Sequence, residues 1–175
     1  MLRYIRNGEV DYVTETAFGA ARLMREANAT PILLRWKKGV RSYQSIIFTN
    51  KNANIKNIDD LVGKKIVFED EDSTSGFFIP RQALLDSGHS LIQLASPTDT
   101  ASPGKIGYVF SGSEQNTSAL VYSGLAEAGA VNDQDWIKPD HMPKKQRKQF
   151  EKIFISDDYP RSVELIRNDL NPEIV

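Results

Sequence analysis

Apolar positions along this chain switch between a strand-like and a helix-like period, and the switches outline its elements. Residues 10–13 read as a strand that follows the helix-closing pair Asn7-Gly8. Phe18, Ala21, Leu23, Met24 and Ala27 then recur at helical spacing. Pro31 blocks further helix, and residues 32–36 read as a buried strand. Residues 43–49, rich in β-branched and aromatic side chains, predict a third strand. Asn57-Ile58-Asp59-Asp60 has the form of a helix start, and Gly63 closes that short helix. Residues 65–68 form one more short buried strand, after which Phe78, Ala83, Leu84 and Leu85 punctuate a helix ended by Gly88. The order predicts an α/β fold whose layers surround a largely parallel sheet.

The second half is more broken. Residues 90–94 and 106–110 are strand-like, separated by a loop marked by Pro97, Pro103 and Gly104. The polar turn Ser111-Gly112-Ser113-Glu114-Gln115-Asn116 leads into a helix supported by Ala119, Leu120 and Tyr122. Residues 125–131 predict a small-residue strand, suited to close approach of a neighbour or ligand. Residues 143–149 are a charge run without an aromatic platform, which reads as a solvated face rather than a nucleic-acid patch. Residues 153–155 and 163–167 are extended, and 168–173 look like the approach to a helix.

Composition narrows the chemistry. A chain of 175 residues suffices for one ordinary domain or two small lobes, and its formal charge of −1 gives no global field for nucleic acid. The absence of cysteine excludes disulfides, thiolate nucleophiles and cysteine metal sites. With His89 and His141 as the only histidines, a histidine-rich metal site is excluded too, and neither a metal nor a cofactor is expected. No apolar run reaches membrane-spanning length, and the first residues lack the apolar region of a signal peptide.

The candidate chemistry lies in Glu69-Asp70-Glu71-Asp72-Ser73-Thr74-Ser75-Gly76, where a strand hands over to a helix. The first N–H groups of a helix lack intrahelical partners and carry partial positive charge. Hydroxyls added there make a site for an oxyanion such as phosphate. The alternative is an ordinary helix cap. The four acids are expected to splay to solvent, or to face a cationic group on a ligand. Gly63-Lys64 is no phosphate-binding P-loop, and Ser123-Gly124 is no nucleophile elbow. His89 as a base for Ser73 or Ser75 lies beyond the far end of the same helix, so an enzyme is not expected.

From Gly8 to Val131 the chain resembles the substrate-binding proteins of phosphonate, phosphite and phosphate ABC transporters. The matching pieces keep the family order: Gly8-Glu9-Val10-Asp11-Tyr12-Val13, Tyr43-Gln44-Ser45-Ile46-Ile47, Ile58-Asp59-Asp60-Leu61-Val62-Gly63-Lys64, Ser73-Thr74-Ser75-Gly76 with Pro80, Phe110-Ser111-Gly112-Ser113, and Gly124 to Val131. The hydroxyl run with Tyr43 upstream is the specific part. The resemblance implies the type 2 periplasmic-binding fold, two α/β lobes with two crossing strands and a ligand cleft between them. It places lobe 1 at residues 1–47 plus 156–175 and lobe 2 at 48–155. It implies a binding component of an ABC importer for phosphonate, phosphite or phosphate, periplasmic or extracytoplasmic, with an ABC permease as partner of the full-length protein. An extracytoplasmic sensor domain is the alternative, with an enzyme on the same scaffold as a remoter one.

Residue by residue, Ser73, Thr74, Ser75 and the Gly76 backbone would hold the phosphorus-bound oxygens, and Tyr43 would donate its hydroxyl. Thr16, in the turn after the first strand, would contribute from the other lobe, while Phe18 stands where the family often has a tyrosine. Glu114, Asn116 and Glu127 fall near positions that read the rest of the ligand. Glu127 either pairs with a ligand amine or bonds locally. Relative to the family the chain is expected to be a fragment, truncated at both ends, with an incomplete first lobe that is less stable or exposes an apolar sheet edge.

Overall fold

The computed structural model describes residues 1–170, and its chain path runs through two compact units. The first comprises Met1–Tyr43 and the chain from Asp158 onward; the second comprises Gln44–Asp157. The first leg holds α1 (Leu2–Arg6), β1 (Tyr12–Glu15), α2 (Ala17–Ala27), β2 (Thr30–Arg35) and β3 (Ser42–Tyr43). The second unit runs β4 (Ser45–Asn50), β5 (Lys65–Phe68), α3 (Ile79–Asp86), β6 (Leu91–Gln93), β7 (Ile106–Phe110), α4 (Glu114–Tyr122), β8 (Ala128–Asn132), α5 (Asp133–Ile137), α6 (Lys144–Arg147) and β9 (Phe150–Ile155). The chain returns to the first unit with β10 (Tyr159–Pro160) and β11 (Ser162–Ile166). The approach to a helix read at 168–173 lies partly outside the described residues.

In the first unit β11 sits between β1 and β2, antiparallel to both. Ile5 of α1, Ala20 and Leu23 of α2, and Val13 and Leu165 of the sheet close one core. Asn28 takes the left-handed conformation that ends α2 (φ 57°), so the chain can turn into β2. β3 and β10 pair separately, Tyr43 opposite Tyr159. The strand read at 32–36 exists but is not buried. All six residues of β2 are exposed, with Leu33 at 65%, Leu34 at 57% and the following Trp36 at 61%. A short apolar run does not distinguish a buried strand from an edge strand. Among the described residues β2 is hydrogen-bonded on one side only, to β11. An apolar sheet edge is therefore present in this unit.

The second unit holds a six-stranded sheet in the order β6-β7-β5-β8-β4-β9. β6, β7, β5 and β8 run parallel, whereas β4 is antiparallel to both β8 and β9. Five of the six strands thus share one direction and β4 alone runs against them, which makes a largely parallel sheet mixed; hydrophobic period does not encode that reversal. Ile47, Ile66, Phe68, Leu84, Ile106 and Ala130 form one core, and Ile46, Phe48, Val121, Val131 and Phe150 another. The small residues of β8 serve a neighbour rather than a ligand. A Cβ on Gly129 would come within 2.8 Å of Thr117 Cγ2 on α4 and 3.0 Å of the Phe48 ring. The strand read at 43–49 breaks at Gln44, where the chain passes from one unit to the other.

Candidate functional site

β5 lies in the parallel part of the sheet, with β7 on one side and β8 on the other. The carboxyl ends of all three strands feed helices, and ligands of open α/β sheets bind at that edge. Two of the connections are tied together. Ser111 N–H donates to Phe68 O (2.9 Å) and Gly112 N–H to Glu69 O (2.8 Å), so the turns after β5 and β7 run side by side.

After β5 the chain makes a short acidic turn and then one wide helical turn, Thr74–Phe78, before α3 begins. The wide turn is visible in the Phe78 N–H to Ser73 O bond, which spans five residues (2.9 Å). Such widened turns recur at functional sites. Ser73 caps it, its Oγ accepting the Gly76 N–H at 3.0 Å. The same hydroxyl donates to Glu69 Oε2 at 2.7 Å. Thr74, Ser75 and Gly76 are buried, and the Ser75 carbonyl accepts from Ser45 Oγ at 2.6 Å. Pro80 sits in the first turn of α3, where its missing N–H costs nothing. The hydroxyl run thus both caps the helix and lines the carboxyl edge of the sheet.

The acids divide. Asp70, Glu71 and Asp72 are exposed, as expected for splayed side chains. Glu69 is not among them: it is half-buried and turned onto Ser73, which holds it there by a hydrogen bond. Burial pushes the Glu69 carboxyl up, and the nearby Glu114 and Asp135 carboxylates push it further against the Ser73 bond.

The end of β7 feeds α4, whose cap Ser113 accepts the Asn116 N–H at 3.2 Å. Glu114 opens that helix, and the Asn116 amide is spent on Ser111 O at 2.9 Å. The end of β8 feeds α5, which was not anticipated although Asn132-Asp133-Gln134-Asp135 carries a cap and first-turn acids. Asn132 Oδ1 accepts the Asp135 N–H at 2.8 Å, and the Asn132 amide also bonds the Asp135 carboxylate. Asp135 is 2% exposed. Burial raises its carboxyl, but the Lys138 ammonium at 2.8 Å, His141 and Asn132 outweigh this and hold it below the ordinary range. Glu114 and Asp135 both sit in first helical turns, where negative charge is favoured. Asp135 and His141 were missed because cluster members from separate connections share no spacing.

Glu127 lies at the opposite end of the sheet from the hydroxyl run. Its Oε2 accepts the Lys65 N–H at 2.9 Å, at the start of β5, so the local role is the one the structure holds. His89 lies past the far end of α3, Nε2 2.7 Å from Asp59 Oδ1. In the first unit, Thr16 precedes α2 with its hydroxyl oxygen shielded from solvent and without a hydrogen-bond partner among the described residues. Tyr43 is buried there, with the Arg161 guanidinium 4.7 Å from its ring centroid.

Comparison with known proteins finds phosphite- and phosphate-binding transport proteins among the relatives. A probable ABC transporter phosphite-binding protein, PhnD1 of Prochlorococcus marinus, is 31% identical over 125 residues, covering 68% of this chain and 39% of its own length. The phosphate-import protein PhnD of Mycolicibacterium smegmatis is 27% identical over 154 residues, 85% of this chain and 46% of that protein. The chain therefore spans less than half the length of these curated relatives. Among solved structures, XAC2383 from Xanthomonas citri, determined with chloride and with ATP, superposes with a TM-score of 0.93 at 32% identity, covering 99% of this chain and 63% of that one. Residues 1–175 match the family described as ABC transporter, phosphonate, periplasmic substrate-binding protein. The mixed α/β sheet, the hydroxyl run at its carboxyl edge and the match over the whole sequence lead to one conclusion: the chain belongs to the family of periplasmic substrate-binding proteins of phosphonate ABC transporters.

Proposed function

We propose that this chain binds the oxyanion of a phosphonate, phosphite or phosphate at Ser73-Thr74-Ser75-Gly76, as the substrate-binding component of an ABC importer working outside the cytoplasm with a permease partner. The observation that carries the reading is the position of this run. It opens a helix at the carboxyl end of β5, in the tied pair of turns after β5 and β7. Hydroxyls and helix-start N–H groups bind an oxyanion without a nucleophile, base or metal, and transport needs affinity without chemistry. Thr16 and Tyr43 are the proposed donors from the first unit, and the Thr16 hydroxyl, without a hydrogen-bond partner among the described residues, supports that role.

Glu69, Glu114 and Asp135 give the second unit's edge an acidic side. Beside a bound oxyanion, carboxylates favour a ligand that carries its own cation, because a charge-assisted hydrogen bond to an ammonium offsets the repulsion. An aminoalkyl phosphonate fits that description, with Glu114 pairing its amine and Asn116 beside it. Glu127 has no part in the proposed site. Calorimetry with phosphate, phosphite, methylphosphonate and aminoethylphosphonate tests the reading. Saturable binding, tightest for aminoethylphosphonate, is expected; no heat with any of the four overturns it.

A further inference from the structure

The start of α4, the helix after β8 and the segment beyond it bring three possible metal ligands together: Glu114, Asp135 and His141, with one donor atom from each within 4.8 Å of the others. His141 Nδ1 is 2.9 Å from Asp135 Oδ1 and 3.8 Å from Glu114 Oε2. The shorter distance is that of an ion pair, yet the directions do not make a hydrogen bond. Nδ1 is shielded from solvent and has no hydrogen-bond partner among the described residues. A shielded ring nitrogen whose contact with Asp135 lacks hydrogen-bond geometry is better satisfied by a cation that takes its lone pair. We propose that Glu114, Asp135 and His141 form a binding site for a divalent first-row transition metal, of which zinc is the best match.

The donor set is of the zinc type, one imidazole nitrogen and two carboxylates. Donors about 2.1 Å from a shared ion lie no more than about 4.2 Å apart, so a small rotation of the Glu114 side chain completes the geometry. The three ligands stand on a supported frame. Asn132 donates to Asp135 and fixes its carboxylate, as an outer partner of a metal ligand does. Ser118 Oγ donates to the His141 carbonyl at 2.9 Å and anchors that segment to α4. Charge also fits, because Glu69, Glu114 and Asp135 face one another with Lys138 as the near cation. Lys138 Nζ shares Asp135 Oδ1 at 2.8 Å, but its side chain is 45% exposed and can swing to water when an ion arrives. Three protein ligands leave a coordination position open for water or another small donor.

The site uses the Glu114 carboxylate proposed above to pair a ligand amine, so zinc and that amine compete for it; the inference itself does not rest on the oxyanion reading and is tested without any phosphorus compound. The full chain, stripped with chelator, is titrated with zinc chloride by calorimetry, and its melting temperature is followed with and without zinc. One-to-one binding and an upward melting shift are expected. His141→Ala should abolish both, and Glu114→Gln should weaken binding by about tenfold or more. Circular dichroism of each metal-free variant shows whether it is folded, and His141→Gln, which keeps bulk and polarity, stands in if the alanine variant is not. Absence of zinc binding in the wild type, or unchanged zinc affinity in a folded His141 variant, overturns the site.

Discussion

Ser73 donates its hydroxyl to Glu69 Oε2 at 2.7 Å while its oxygen receives the Gly76 N–H at 3.0 Å. The chain's own carboxylate thus takes the hydroxyl that the proposed oxyanion needs. Removing its charge should help the ligand. Glu69→Gln is expected to tighten binding of methylphosphonate by about five- to tenfold, on the order of 1 kcal/mol for one nearby like charge at the partly screened surface. Calorimetry checks this, and weaker binding in the variant would mean that Glu69 orients the turn for the ligand rather than opposing it.

The same acid gives a pH signature. Burial, then Glu114 and Asp135, raise the Glu69 carboxyl in the folded protein, so the native state holds that proton more tightly than the unfolded chain. Its contribution is fully present below the unfolded pKa and is lost as pH rises through the raised folded value. Asp135 runs the other way. Burial raises it, but Lys138, His141 and Asn132 lower it overall, so its contribution is present above the unfolded pKa and is lost as pH falls through the depressed folded value. Urea denaturation from about pH 3 to about pH 8 should show Glu69→Gln gaining on the wild type toward neutral pH, and Asp135→Asn losing ground there. Parallel stability curves for wild type and both variants would contradict these assignments.

The first-unit donors are testable apart from the hydroxyl run. Thr16→Val keeps the shape of a side chain that makes no cap hydrogen bond, and Tyr43→Phe keeps the ring under Arg161. Each is expected to cost about 1–3 kcal/mol of oxyanion affinity, the range for a hydrogen bond to a charged group. Thr16→Val should leave the melting temperature nearly unchanged, because its hydroxyl has no hydrogen-bond partner among the described residues to lose. Equal affinity in both variants would remove the first unit from the site.

The exposed apolar strand makes a different prediction. Leu33→Lys or Leu34→Lys changes a side chain that is mostly in water, so stability should move by no more than about 0.5 kcal/mol. A lysine on an open edge also blocks strand-to-strand pairing. Light scattering over a concentration series should show less self-association in these variants. A loss of several kcal/mol instead would show that β2 is packed against something in solution.

Much of this was legible in the sequence, and the rest was hidden for identifiable reasons. Residues 106–110 matched β7 to the residue because β-branched and aromatic side chains fill a strand that is buried or half-buried along its length. Ser73 was readable as a cap because it precedes an apolar helix, and it is one. Burial of β2 was misread because Ile32-Leu33-Leu34 has the same composition in a core and at an edge. Glu69 was grouped with Asp70, Glu71 and Asp72, since nothing in a run of four acids tells which one turns inward. Glu127 remained open between two roles until strand direction placed it at the start of β8, away from Ser73. Asp135 and His141 escaped notice because only the fold brings their connections together with Glu114.

The most direct test of the central claim follows the backbone amides of residues 74–76 by nuclear magnetic resonance while the oxyanion is titrated, in the wild type and in Ser75→Ala. The account predicts saturable shifts concentrated on Thr74, Ser75 and Gly76, with affinity in the variant weakened by about 1–3 kcal/mol. Binding that leaves these three amides unmoved, or that Ser75→Ala does not weaken, would contradict it.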